Sequence, residues 1–254
     1  MNEEEIKNNT IVFIFGRFQP FTVGHLSLLD KIIQYRENGY NNYYVGTSTV
    51  DEEKHLPLVK SRTLETLVSD HKRKNPLTTK QKVKYIKAAM KYRGLDSKRL
   101  FVSRNLLFGL RKIRKMADRL IILTDLEGIE QFNKLVSKDN KYKYFPDFVD
   151  YIAIGNQRER DYNNTNISGS LIRELAVNDN FEAFKQHVPY IAEDKQMKLF
   201  THIRRAYMQM LRNRELMKGD VEESLVSSST STPSTFSISS KSMQKAPSLR
   251  RGEA

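Results

Sequence analysis

The sequence predicts an α/β protein: a doubly wound five-stranded parallel sheet with C-terminal helices and a disordered tail. Short runs of β-branched and aromatic residues alternate with segments whose apolar residues recur at helical spacing, the pattern of successive βαβ units. The first such run, Ile11-Val12-Phe13-Ile14-Phe15, is apolar without interruption, as a strand covered on both faces must be. From Val221 to Ala254, by contrast, there are eleven Ser and three Thr and almost no apolar periodicity. Such a segment cannot bury enough surface to offset its ordering entropy.

Each element has its own signal. Residues 1–10 open on Met1-Asn2-Glu3-Glu4-Glu5 and read as a flexible acidic terminus, not a secretory signal. After the first strand, Leu26, Leu28, Leu29, Ile32 and Ile33 mark a helix, and Tyr43-Tyr44-Val45 the next strand. The alternation does not account for residues from about 49 to 68, which read as an insertion. Thr78 can cap a helix whose apolar side is Val83, Ile86, Ala89 and Met90. Leu100-Phe101-Val102 is strand-like, and Leu106 to Met116 is helical and strongly basic. Leu120-Ile121-Ile122-Leu123 is a strand, followed by a helix through Ile129, Phe132 and Leu135, and Tyr151-Ile152-Ala153-Ile154 is the fifth strand. Helices then occupy about 168–176, 180–187 and 192–217. The last carries an apolar stripe of Ile203, Tyr207, Met210 and Leu211 that should pack on the domain, and Gly219 is suited to closing it. The folded domain is thus read as 11–219, with 220–254 as the tail.

Composition narrows the chemistry. The chain of 254 residues carries 43 Lys plus Arg against 30 Asp plus Glu, a net charge of +13, which suits polyanionic partners or simply keeps basic faces solvated. The absence of cysteine excludes disulfides, thiol catalysis and Cys-ligated metal centres. No apolar run has the length of a membrane span. His55, His71, His187 and His202 show no metal-ligand spacing, so no metal site is assigned to the chain, and no Gly-x-Ser-x-Gly elbow occurs.

Two segments carry function. Directly after the first strand comes Gly16-Arg17-Phe18-Gln19-Pro20-Phe21-Thr22-Val23-Gly24-His25, opening into a helix. Gly16 permits a sharp turn, Pro20 stiffens the loop, and Gly24 admits close approach at a helix start, where unpaired N–H groups favour an anion. Arg17 adds a fixed cation, and His25 can donate to a phosphate oxygen. Much later, Asn166-Ile167-Ser168-Gly169-Ser170-Leu171-Ile172-Arg173 places two hydroxyls at a second helix start, with Arg173 three residues after Ser170 on the same side.

The first segment resembles the (His/Thr)-x-Gly-His signature of the nucleotidyltransferase superfamily, in its Gly-Arg-Phe-x-Pro-Phe-x-x-Gly-His form. That form is similar to archaeal-type nicotinamide mononucleotide adenylyltransferases and cytidylyltransferase-like proteins of phages and large DNA viruses. The second segment resembles the Ile-Ser-x-(Ser/Thr)-x-x-Arg hallmark of the same superfamily. Its flanks, Gln157 to Asp161 and Asn180 to Pro189, look like those of the viral members, as does the stretch from Ser69 to Thr78. The fourth strand leads into Leu123-Thr124-Asp125-Leu126-Glu127-Gly128, where such proteins commonly carry Gly-x-Asp-Arg; Asp125 can stand for the aspartate, but the Gly and Arg are missing.

The resemblance implies a Rossmann-like enzyme transferring a nucleoside monophosphate, AMP first, from a nucleoside triphosphate to a phosphate-bearing acceptor. Nicotinamide mononucleotide is the leading acceptor, pyrophosphate the product, and Mg²⁺ is expected to arrive on the triphosphate. The implied catalytic residues are His25, Thr22, Arg17 and Arg173. Gly16, Phe18, Gln19, Gly24, Ser168, Gly169, Ser170, Lys74 and Asp125 would line the nucleotide. A cytosolic setting is expected (host cytoplasm or virion for a viral protein), with self-association as in relatives and no membrane partner. Two alternatives stay open. One is a cytidylyltransferase acting on a small phosphorylated alcohol. The other is a catalytically degenerate protein on the same fold that binds nucleic acid weakly through its basic surface.

Overall fold

The computed structural model describes residues 2–49, 74–125, 128–130, 132, 150–156 and 169–228. The chain divides into two compact units, Met1–Arg212 and Asn213–Ala254. The first is an α/β unit built on one parallel sheet. Its strands are β1 (Thr10–Gly16), β2 (Tyr43–Ser48), β3 (Leu100–Ser103), β4 (Arg119–Asp125) and β5 (Asp150–Asn156), in spatial order β3-β2-β1-β4-β5. Register is set at the centre, where Ile14 lies opposite both Val45 and Leu123. The chain moves outward from β1 to β3 and then returns to β4 beside β1. Strand order therefore reverses between β1 and β4, and ligands in sheets of this kind bind at the carboxyl ends of such a pair.

The helices are α1 (Glu3–Asn8), α2 (Val23–Glu37), α3 (Thr79–Tyr92), α4 (Leu106–Arg114), α5 (Gly169–Val177), α6 (Phe181–Gln186) and α7 (Glu193–Ser228). Alternate residues of β1 point to opposite sides, and each side has its own core. Val12 and Ile14 pack with Leu29, Ile86, Ile172, Phe184 and Ile203 on one face. Ile11 and Phe13 pack with Phe101, Leu110, Ile113 and Phe132 on the other. Thr10 to Ile14 are buried, and burial on both faces is why β1 reads as a continuous apolar run from Ile11.

Three local readings need correction. The acidic N-terminus is helical: Glu5 N–H donates to Asn2 Oδ1 (2.7 Å) and Asn2 N–H donates to Glu5 Oε2 (2.8 Å), a capping box that starts α1. Glutamates in a first turn complement the helix dipole, so charge that reads as solvation instead favours the helix. Behind α1, Asn9 Nδ2 donates to Asp118 Oδ2 (3.1 Å) and Asp118 N–H donates to Asn9 Oδ1 (3.2 Å), which ties the terminus to the start of β4.

In α3 the cap at Thr78 forms with Gln81, but the buried side is Lys82, Tyr85, Ile86, Ala89 and Met90, while Val83 is half-buried. Lys82 is tolerated inside because its ammonium reaches the Ser48 carbonyl (2.5 Å) at the end of β2. Helix α7 continues through Gly219 to Ser228; a glycine inside a helix costs only about 1 kcal/mol. In α7, Ile203 and Met210 are buried and Tyr207 is half-buried, but Leu211, expected in the same packed stripe, is exposed. The insertion beyond Thr49, residue Leu135 and the tail beyond Ser228 lie outside the described residues. No helix among the described residues is long and apolar enough to cross a membrane.

Candidate functional site

The loop after β1 is held from three directions. Thr47 of β2, itself buried, donates its hydroxyl to the Gly16 carbonyl (2.8 Å). A Cβ on Gly16 would lie 2.5 Å from the Phe18 ring, so the turn closes only over glycine. Phe18 follows at φ 48°, in the left-handed region that few bulky residues adopt. Residues Phe18 to Thr22 are all buried.

Gln19 shows what the burial does. Its amide donates to the Leu77 carbonyl (2.9 Å) and accepts from the Leu77 N–H (3.0 Å), a paired contact across 58 residues of sequence. The side chain that the resemblance assigns to the nucleotide is therefore committed to the segment before α3, and it positions the loop. Phe21 packs against Tyr190, whose hydroxyl donates to the Phe21 carbonyl (2.8 Å). Full burial pushes the Tyr190 phenol far above its ordinary range, so it remains a donor.

At the start of α2, Thr22 N–H donates to His25 Nδ1 (2.9 Å), and Thr22 Oγ1 lies 2.9 Å from the same nitrogen. A nitrogen that accepts from a backbone N–H is unprotonated, so the neutral ring carries its proton on Nε2. Phe18 and Phe21 hold the imidazole at ring-centroid distances of 5.0 and 5.1 Å. The helix start is less open than its sequence suggests. Val23 N–H donates to the His187 carbonyl (2.9 Å) and His25 N–H to the Thr22 carbonyl (2.9 Å), leaving Gly24 as the first-turn amide between them.

The second segment docks directly on the first. Arg173 is buried in α5, and its guanidinium donates to the Gln19 carbonyl (2.6 Å) and to Ser170 Oγ (2.8 Å). A Cβ on Gly169 would lie 3.1 Å from the Gln19 carbonyl oxygen, so a glycine lets the start of α5 approach the loop. Arg17, Lys74, Ser170 and Arg173 line one cavity of about 430 Å³, together with Glu174, Val177 and Tyr207. Arg17 and Lys74 are exposed at its mouth. Three cations beside one carboxylate give the lining a net positive charge, which favours an anion.

The remaining assigned residues are distributed around this core. Thr22 and His25 sit at the start of α2 and are absent from the cavity lining. Asp125 ends β4, opposite Asn156 of β5, at the carboxyl edge of the sheet. Ser168 lies outside the described residues. Glu174, Val177 and Tyr207 are lining residues that sequence motifs did not single out. Val177 lies one helical turn beyond Arg173, which is a usable signal; Tyr207 comes from a distant helix and has none. Among the described residues, no group of three His, Asp or Glu side chains could hold a metal ion. No protein-family model matches the chain, and no curated protein matches it.

Proposed function

We propose that the chain is a nucleotidyltransferase of the cytidylyltransferase-like class, with a doubly wound, Rossmann-like five-stranded sheet. In this reading it transfers a nucleoside monophosphate, AMP first, from a nucleoside triphosphate to a phosphate-bearing acceptor. The observation that supports it is the meeting of two distant segments: Arg17 after β1, and Ser170 with Arg173 at the start of α5, share a cationic cavity.

The chemistry follows from that charge. An acceptor phosphate oxygen attacks the α-phosphorus in line, the bond to the β-phosphate bridging oxygen breaks, and pyrophosphate leaves. Arg17, Lys74 and Arg173 hold the triphosphate and stabilise the charge on its oxygens. His25, held through Nδ1 with its proton on Nε2, is suited to donate to an oxygen on the reacting phosphorus, with Thr22 beside it. A cationic lining repels a bare metal ion, so Mg²⁺ would enter on the phosphates and no residue set of the chain is assigned to it. Nicotinamide mononucleotide leads as acceptor through the motif resemblance alone.

Pyrophosphate release from ATP and from CTP, each with nicotinamide mononucleotide and with glycerol phosphate, tests the reading. Release that requires both substrates is expected, and Arg173→Lys, which keeps charge but loses the two-pronged donor, should lower it well beyond a surface substitution. No release with any pair overturns it. The occupied Val23 and His25 amides favour a second reading, a site that binds nucleotide or nucleic acid without turnover. Triphosphate would then protect against thermal unfolding while no pyrophosphate appears.

A further inference from the structure

Helix α3 carries a feature that neither the fold nor the cavity needs. Lys80, Lys84, Lys87 and Lys91 recur at intervals of four, three and four residues and are all exposed, so they form one ridge along three turns. The helix contains no acidic residue. None of the four forms an ion pair with a described carboxylate, although Arg93, which follows the helix, pairs with Asp30, and Lys185 pairs with Glu182 on α6. Like charges one turn apart oppose helix formation, and glutamates among them would relieve the repulsion. The ridge therefore works against the stability of its own helix, while solubility alone would be served by mixed charge.

Close by, half-buried His202 of α7 is held below its ordinary pKa by burial first and then by the cations Arg205 and Lys84. At the end of α3, Tyr92 is 52% exposed; Arg93 beside its ring is paired with Asp30 and adds no free charge. Regular cations next to an exposed aromatic ring match a backbone of evenly spaced phosphates with unpaired bases. Cations track the strand, and the ring accepts a base without regard to sequence. We propose that the Lys80–Lys91 face of α3, with Tyr92 flanking it at the end of the helix, binds single-stranded nucleic acid through its backbone. This surface is independent of the transfer reaction proposed above.

The test is fluorescence anisotropy of a short labelled oligothymidylate with the full chain, across a series of KCl concentrations. Replacing all four ridge lysines by glutamine removes four contacts, each contributing about 0.7 to the salt dependence on single strands. The slope of log K against log salt should fall by about 3. A control with Lys98, Arg104, Lys112 and Lys115 changed to glutamine lowers the net charge equally and should keep most of the slope. Glutamine has nearly the helix propensity of lysine, so the ridge variant should melt no lower than the wild type. Tyr92→Ala should weaken binding about tenfold with the slope unchanged, which tests the face even if the quadruple variant folds poorly. Equal losses in ridge and control variants overturn the proposal, because charge alone would then explain binding. So does a wild type that binds anionic vesicles or polyglutamate but not the oligonucleotide.

Discussion

The loop after β1 and the rim just outside it are adjacent in sequence and opposite in physical character. Phe18 to Thr22 are buried, and their polar atoms are met by protein: Gln19 by Leu77, Thr22 by His25, and the Phe21 carbonyl by Tyr190. Arg17, one residue earlier, is exposed and faces the cavity with Lys74. The buried part works as a template that fixes where the rim cations and His25 stand. The rim is where a ligand can still be met. A motif read as one ligand-binding unit thus separates into a structural interior and an exposed cationic edge.

The largest expected effect is on the template. Phe21 is 1% exposed and packs against Phe18, His25 and Tyr190, so Phe21→Ala should cost about 3–5 kcal/mol of stability. Chemical denaturation measures it; a loss under 1 kcal/mol would show that the loop does not depend on this packing. His25 stands between the two regions. Under the proposed activity, His25→Ala should lower kcat by about 10²–10³ and change KM much less, because its donor acts on charge that develops during transfer. Steady-state kinetics separate the two, and a pure KM effect would move His25 to the binding side.

On the rim, Arg17→Gln should leave the melting temperature unchanged and weaken the protection given by inorganic triphosphate, with about tenfold lower affinity. A melting shift of several degrees without ligand would make Arg17 part of the template instead. The smallest effect lies far from both. Hydrogen bonding from Asn9, then the charge of Arg114, lowers the Asp118 pKa below its ordinary 3.8. A carboxylate whose folded pKa is depressed contributes stability above its unfolded pKa, and the contribution is lost as pH falls through the folded value. Asp118→Asn should therefore lower the melting temperature at neutral pH and narrow its gap to the wild type below about pH 3.8. A gap that is constant across this range would rule out the ionised form as the stabilising one.

Where one dominant local signal existed, the sequence was legible. The β1 run, the apolar spacing of α2 and the Thr78 cap each depend on a few neighbouring residues, and each forms. Competing local signals were misread. Consecutive glutamates near the N-terminus suit both a solvated tail and a first helical turn, and the Asn2–Glu5 capping box decides between them. Lys82 looks like a solvent-facing residue until the Ser48 carbonyl supplies a partner inside.

What the sequence by itself determined is the alternation of strands and helices from β1 onward and the two segments that carry Arg17 and Arg173. Periodicity, caps and glycine positions are properties of neighbouring residues, and short-range sterics and hydrogen bonds act on them before the chain is compact. Only the tertiary structure decided which of those residues face the cavity. Gln19 turned inward because Leu77, 58 residues away, offers a donor and an acceptor at matching positions. The first amide of α2 was taken by the His187 carbonyl, and Tyr207 reached the cavity from α7. Buried polar groups must find partners, and in a parallel sheet those partners come from crossovers distant in sequence, so no local pattern records the choice.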